Sequence, residues 1–300
     1  MSPIRVWWLA ARPKTLTAAV IPVLVGTALA RAEVGVVQWD LFWCALWGAI
    51  FIQIGTNFVN DAADFKRGTD TQERLGPLRV TQAGLLTHTQ VMRGAYVCFG
   101  VAALFGIPLI QAGGWPIVVI GICSIIAAYA YTAGPFPLAY LGLGDLFVIV
   151  FFGLVAVGGT YYLHAGEWGV PALVAGLCLG ALATALLAVN NLRDRAGDAA
   201  NHKKTLAVRF GEDFARREVQ FMACYPFIVG AYWWMNGNYW ASLLPLASIP
   251  LAWKLVHIAR FGNGRELNAG LGKAAALHAV YGALLAAGLW IGAGMPPPAQ

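Results

Sequence analysis

The 300-residue chain is 59% hydrophobic and only 11% charged, whereas charged residues make up about a quarter of an ordinary soluble domain. This composition excludes a soluble globular protein and indicates an integral membrane protein, with a lipid bilayer as its surroundings. The net charge of +6 does not indicate nucleic-acid binding, because the basic residues lie between apolar runs and no soluble module interleaves them with aromatic residues.

About nine apolar runs follow one another along the chain, most of them near the roughly 20 residues that a membrane-spanning helix needs. They lie near residues 15–32, 39–59, 91–111, 115–133, 140–163, 171–190, 219–236, 239–258 and 273–293. No small-residue cleavage signal follows the first run, which is therefore predicted to be a mature helix rather than a signal peptide. We predict an all-α fold: an integral membrane bundle of about nine transmembrane helices, forming a single domain over residues 1–300.

Lysine and arginine are distributed unequally between the two predicted sides of the membrane. With nine spans, the basic residues of 5–14 share one side with those of 66–93, 193–217 and 254–273, and only Arg31 falls on the other side. The positive-inside rule places the basic side in the cytoplasm. We therefore predict a multi-pass protein of the cell (inner) membrane with a cytoplasmic N-terminus, a cytoplasmic active site and an external C-terminus.

Two polar stretches, residues 57–64 and 190–198, each end a long apolar run. Carboxylates concentrated on one helical face beside a membrane carry costs of desolvation and repulsion that a bound divalent cation would offset. Oxygen ligands of this kind suit Mg²⁺ that is shared with a substrate phosphate. The pattern predicts two helix-end halves of one Mg²⁺–diphosphate site, with solvated loop residues as the alternative. The residues repeat at helical steps of three or four: Asn57, Asp61 and Asp64 in the first half, and Asn190, Asp194 and Asp198 in the second.

A loop with basic residues follows each polar stretch. The first loop carries Arg74 and Arg79, and the second carries Lys203 and Lys204. Such residues are suited to donate charge-assisted hydrogen bonds to phosphate oxygens, although topology alone also explains cations in cytoplasmic loops. Lys14, before the first span, is either a headgroup anchor or a residue at the mouth of the cavity.

The same order of features occurs twice in the chain: a long apolar run, an acidic helix end and a basic loop. This repetition indicates a diverged internal repeat with halves of roughly 12–135 and 136–293. We expect one cavity between the two halves.

The two acidic motifs, Asn60-Asp61-x-x-Asp64 and Asp194-x-x-x-Asp198, resemble those of the UbiA superfamily of intramembrane prenyltransferases. Within it, the chain is similar to the branch that prenylates 1,4-dihydroxy-2-naphthoate. Two departures from the wider superfamily stand out: Gly68 occupies the place of a third Asp, and no basic pair follows Tyr131. The stretches that carry the similarity are 12–15 (RPKT), 74–79 (RLGPLR), 131–135 (YTAGP), 190–194 (NNLRD), 204–209 (KTLAVR) and 266–268 (ELN).

The resemblance implies a reaction. A polyprenyl group would pass from polyprenyl diphosphate to the aromatic acid with loss of CO₂, giving demethylmenaquinol for menaquinone biosynthesis. It implies catalytic Mg²⁺ ligands at Asp61, Asp64, Asp194 and Asp198, with Asp70 as a further candidate. The predicted substrate-binding residues are Asn57, Asn60, Asn190, Lys14, Arg74, Arg79, Tyr131, Lys203 and Lys204.

Two alternatives stay open at this point. The first is a related prenyltransferase that uses another aromatic acceptor, such as 4-hydroxybenzoate or homogentisate. The second is a secondary transporter, although a transporter site belongs near the bilayer midplane within discontinuous helices, while these carboxylates follow apolar runs. The oligomeric state is not predicted.

Overall fold

A computed structural model of the chain describes residues 1–68, 76 and 78–293. These residues form helices and turns and contain no β-strand, which confirms the all-α prediction. The N-terminal helices are α1 (Pro3–Ala11), α2 (Thr17–Val34), α3 (Trp39–Arg67), α4 (His88–Gly113), α5 (Trp115–Ala130), α6 (Gly144–Val148) and α7 (Ala156–Ala165). The C-terminal helices are α8 (Val170–Ala200), α9 (Leu206–Phe210), α10 (Glu212–Val229), α11 (Ala231–Met235), α12 (Tyr239–Leu243), α13 (Ile249–Phe261) and α14 (Leu267–Gly292).

Helices α3 and α8, which carry the acidic motifs, are longer than a bilayer requires. They contain 29 and 31 residues, so each is about 45 Å long, against a hydrocarbon thickness of about 30 Å. Each helix is therefore long enough to cross the apolar layer and continue for several turns beyond it. Both polar stretches are helical and occupy the last turns of these helices, as the spacing of their residues predicts.

Seven helical segments of the described chain are long and apolar enough to cross a membrane, and the protein is a multi-pass membrane protein. The predicted number of about nine is not confirmed. Helix α5 has 16 residues, about 24 Å. Helix α10 begins with a charged first turn and ends at Val229, and Gly230 divides the predicted run 219–236 between α10 and α11.

A seven-residue π-helix, Ile149–Val155, joins α6 to α7. Its Gly153 packs directly on α8, where an added Cβ would lie only 2.8 Å from the Cα of Gly180. The lack of a side chain at both positions lets the two backbones touch, as small residues do between membrane helices. Phe151 and Phe152 lie beside this contact and face the interior of the bundle.

The buried core has two main clusters. The larger joins α2 to α8, α10, α13 and α14, and the smaller joins α1, α3, α4 and α5. Helix α2 belongs to the first predicted half but packs mainly with helices of the second. The packing units therefore differ from the halves 12–135 and 136–293, whose origin by repetition stays a prediction.

Candidate active site

The last turns of α3 present Asn60 and Asp64 to an internal chamber, because residues four apart share one face of a helix. Both oxygens of Asp64 have partners. Its Oδ2 accepts a hydrogen bond from the Arg79 guanidinium at 3.0 Å, and its Oδ1 accepts one from the Tyr140 hydroxyl at 2.9 Å. Thr132 donates a 2.6 Å bond to the Asn60 Oδ1. The first motif is thus held by groups from two separate loops.

Asp61 points away from the chamber. Its two carboxylate oxygens accept hydrogen bonds from the backbone N–H groups of Val80 and Thr81 at 3.1 and 3.0 Å, and the residue is only 1% exposed. It fixes the turn that follows Arg79, whose side chain reaches Asp64. This geometry gives Asp61 a structural contact, while its predicted role as a Mg²⁺ ligand stays a prediction.

Asn57 connects α3 to the N-terminal segment. Its amide nitrogen donates 2.9 Å hydrogen bonds to the Ala11 carbonyl and the Thr15 hydroxyl. The 3₁₀ turn Pro13–Thr15 between α1 and α2 is thereby attached to α3. This attachment places Lys14 in the chamber wall. Of the two positions that the sequence allows for Lys14, a headgroup anchor or a cavity residue, the structure shows the second.

The second motif, on α8, is organised by a buried arginine. The Arg193 guanidinium donates two hydrogen bonds to the Asp194 carboxylate, at 2.7 and 2.6 Å. It also donates to Asn190 Oδ1 at 2.6 Å and to Asn268 Oδ1 at 2.9 Å. The Arg193 side chain is fully buried, so Asp194 neutralises a charge that would otherwise be costly to bury.

Asp198 lies one turn further along α8 and pairs with the ammonium of Lys203 at 3.4 Å through its Oδ1. Its Oδ2 is buried and, among the described residues, has no hydrogen-bond partner. A buried carboxylate oxygen without a partner is costly, and a cation is the simplest group to satisfy it.

The chamber between the two motifs has a volume of about 490 Å³. Six chemically important residues share its wall: Asn60 and Asp64 from α3, Asn190 from α8, and the cations Lys14, Arg79 and Lys203. The structure therefore brings both predicted halves to one cavity. Asn57 and Tyr131 also line it.

A second cavity of about 410 Å³ lies between α2, α3, α4, α5 and the π-helix, and its walls are almost entirely aliphatic and aromatic. The two cavities adjoin, because six residues line both: Ala18, Gln53, Thr56, Tyr131, Val148 and Phe152. A polar chamber that continues into an apolar one suits an amphiphilic molecule with a charged head and a hydrocarbon tail.

Some predicted residues lie elsewhere. Asp194 and Asp198 do not line the chamber and pair with Arg193 and Lys203. Lys204 is exposed, and its backbone N–H donates to the Tyr140 carbonyl at 3.0 Å. Asp70 and Arg74 fall outside the described residues.

Sequence reasoning missed three residues of the site: Tyr140, Arg193 and Asn268. Arg193 was not singled out, because the positive-inside rule already explains an arginine in a stretch that is predicted to be cytoplasmic. Arg193 and Asn268 did carry a signal, since each belongs to one of the stretches that support the family resemblance, 190–194 and 266–268.

The residues present fit a Mg²⁺ ion that binds together with a phosphate. No three His, Cys, Asp or Glu side chains converge on one point in the described part of the chain, so a cage made of protein alone is not preformed there. Mg²⁺ typically uses one or two carboxylates, water and substrate phosphate oxygens. Asp64, Asn60 and Asn190, together with the unpartnered oxygen of Asp198, supply that chemistry.

The fold and site define a helical membrane protein with two acidic helix ends around a chamber for an amphiphile. Comparison with known proteins identifies its family. A profile of the UbiA prenyltransferase family matches residues 19–270, and the chain belongs to this family. The resemblance and the prediction of a prenyltransferase are thus confirmed, and the family membership decides against a secondary transporter.

Individual relatives support this family assignment, and a solved structure shares the fold. The chain is 37% identical to a Mycobacterium tuberculosis protein named 1,4-dihydroxy-2-naphthoate octaprenyltransferase over 89% of this chain and 90% of the relative. An Escherichia coli protein of the same name is 40% identical over 72% of each chain. A solved UbiA homologue from Archaeoglobus fulgidus, bound to DMAPP and Mg²⁺, shares the fold with a TM-score of 0.61 and 17% identity, covering 93% of this chain and 98% of that one.

Proposed function

We propose that the protein transfers a polyprenyl group from polyprenyl diphosphate to 1,4-dihydroxy-2-naphthoate, with loss of CO₂, to give demethylmenaquinol. The observation that carries the proposal is the polar chamber that joins an apolar cavity. The diphosphate would lie among Lys14, Arg79 and Lys203, and the prenyl chain would extend past Tyr131 and Phe152 between α4, α5 and the π-helix. The names of the relatives supply the aromatic acceptor.

Mg²⁺ is part of this proposal. Asp64 and Asp198 would hold it, assisted by Asn60 and Asn190, with Asp194 available if Arg193 releases it. When bound, the ion supplies Lewis-acid neutralisation of the diphosphate. The same arrangement would face the cytoplasm, in keeping with the distribution of basic residues.

The protein's own groups would promote the reaction in two ways. Lys14, Arg79 and Lys203 would donate charge-assisted hydrogen bonds to the diphosphate as the allylic C–O bond breaks and its electron pair moves to oxygen. The apolar residues at the junction, Val148 and Phe152, would exclude water from the allylic carbon. The ring carbon that bears the carboxylate would then form the new C–C bond, and departing CO₂ would leave its bonding electron pair to the ring.

The acceptor can be tested by following the carboxyl carbon. With acceptor labelled at that carbon, we expect one labelled CO₂ for each diphosphate released and an unlabelled lipid product. Acceptor labelled in the ring is the matched control and should give a labelled lipid. Retention of the carboxyl label in the lipid would contradict the naphthoate assignment, because a 4-hydroxybenzoate-type reaction replaces a ring C–H and keeps the carboxylate.

The apolar cavity can be tested by filling it. Gly106 on α4 lines the cavity, and nothing lies within 4 Å of a Cβ added there. We expect Gly106→Phe to lower the rate with long polyprenyl diphosphates by at least about tenfold while geranyl diphosphate is still used. The measurement is the ratio of kcat/KM for long and short donors.

Gly100→Phe is the matched control. Gly100 lies on the same helix with open space around its Cβ, but it is exposed and does not line the cavity. Equal chain-length preference in the Gly106 variant, the Gly100 variant and the wild type would contradict the proposed course of the prenyl chain.

A further inference from the structure

Tyr140 lies on the segment 131–143 between α5 and α6, and its side chain reaches the first acidic motif. Its hydroxyl donates a 2.9 Å hydrogen bond to Asp64 Oδ1, while Arg79 occupies the other oxygen of the same carboxylate. Tyr140 does not itself line the chamber. It therefore acts on the site through Asp64 and sets the direction in which this carboxylate points.

The same tyrosine also contacts the second motif. The ammonium of Lys203 lies 5.7 Å from the centre of its ring, within the range of a cation–π interaction, and Lys203 pairs with Asp198. The Tyr140 carbonyl accepts a 3.0 Å hydrogen bond from the backbone N–H of Lys204. One residue thus contacts both halves: Asp64 on α3, and the pair formed by Asp198 on α8 and Lys203 just after it.

The segment around Tyr140 is held from both sides. From the end of α3, the Arg67 guanidinium lies 4.6 Å from the centre of the Tyr140 ring and donates to the carbonyls of Thr132 and Gly134. From α9, Arg209 donates a 2.7 Å hydrogen bond to the Leu141 carbonyl. Because the residues around it are fixed in this way, Tyr140 is held in contact with both motifs.

We propose that Tyr140 is a positioning residue that couples the two acidic motifs. It holds Asp64 and the Lys203–Asp198 pair at a fixed separation across the chamber, so that a diphosphate and its metal ion meet both halves together. A phosphate ligand gains from charged groups already set at the right spacing, since less ordering is needed on binding. The inference rests on the proposed function, because it assigns the chamber to a Mg²⁺–diphosphate unit.

The test uses the full-length protein in detergent with Mn²⁺ and inorganic diphosphate as probes. Tyr140→Phe removes the bond to Asp64 but keeps the ring between Arg67 and Lys203, and it should weaken joint Mn²⁺–diphosphate binding by about tenfold, the usual loss for a partner behind a metal ligand. Tyr140→Leu also removes the ring and should weaken binding further. In the prenyl-transfer assay, the Mg²⁺ concentration for half-maximal rate should rise in the same order, with thermal unfolding temperatures near that of wild type.

Tyr162→Phe is the matched control, because it removes a comparable 3.2 Å bond, from the Tyr162 hydroxyl to the Gly113 carbonyl, far from the acidic motifs. It should bind both probes as wild type does. Unchanged binding and Mg²⁺ dependence in both Tyr140 variants would overturn the coupling role, and so would losses that only follow the folded fraction. If the wild type itself bound no metal–diphosphate unit, the proposed function would fail rather than the role of Tyr140 alone.

Discussion

Replacing Asp64 or Asp198 by Asn should lower turnover by about 10²–10³-fold, equivalent to about 3–4 kcal/mol of lost transition-state stabilisation. Asn keeps the shape of each side chain but removes a negative charge, on the chamber wall for Asp64 and beside the wall residue Lys203 for Asp198. The Oδ2 of Asp198, which has no hydrogen-bond partner among the described residues, is the oxygen that a bound cation would satisfy. The measurement is the rate of diphosphate release against Mg²⁺ concentration, with thermal unfolding as the check on folding.

Asp213→Asn provides the control, since Asp213 is an exposed carboxylate in the first turn of α10, and its rate should stay within about twofold of wild type. Near-normal turnover in the Asp64 or Asp198 variant would remove that residue from the metal assignment. Asp194 is less informative, because its loss also unpairs the buried Arg193 guanidinium, so folding and chemistry would change together.

Asp61→Asn is expected to reduce turnover by at least about tenfold for a different reason. The carboxylate accepts two backbone N–H bonds, whereas an amide offers one oxygen and turns an N–H donor toward the second N–H. A buried donor without a partner costs about 1–3 kcal/mol. We therefore expect the turn that follows Arg79 to shift, and the Arg79–Asp64 bond to weaken with it.

Mn²⁺ binding separates this structural role from direct ligation. If Asp61 acts through the turn, Asp61→Asn should retain more metal affinity than Asp64→Asn while still losing turnover. Equal loss of metal binding in the two variants would instead favour Asp61 as a ligand. Thr81→Val is the control in the same turn: the Thr81 hydroxyl has no hydrogen-bond partner among the described residues, and the variant keeps the backbone N–H.

The membrane environment, the fold class and the helical setting of the two motifs follow from the amino-acid sequence alone. Composition excluded a soluble domain, because a chain with 59% hydrophobic and 11% charged residues has too few charged residues for a surface that faces water on all sides. Each apolar run indicated a helix, since a backbone in lipid must satisfy its own hydrogen bonds. The spacing of Asn60 and Asp64, and of Asn190 and Asp194, is local information that a helix converts directly into a shared face. The family resemblance rested on the same residues.

Which carboxylates face the chamber depends on contacts with segments far away in the sequence. Asp61 and Asp64 stand three residues apart in one motif, yet one bonds to a turn about 20 residues further along the chain and the other to Tyr140, 76 residues away. Partners at such separations leave no periodic trace in a single sequence. The same holds for Arg193, whose bond to Asn268 joins α8 to α14. Helical spacing fixes the face on which a side chain stands, but the direction of each carboxylate depends on the donors that distant segments bring to it.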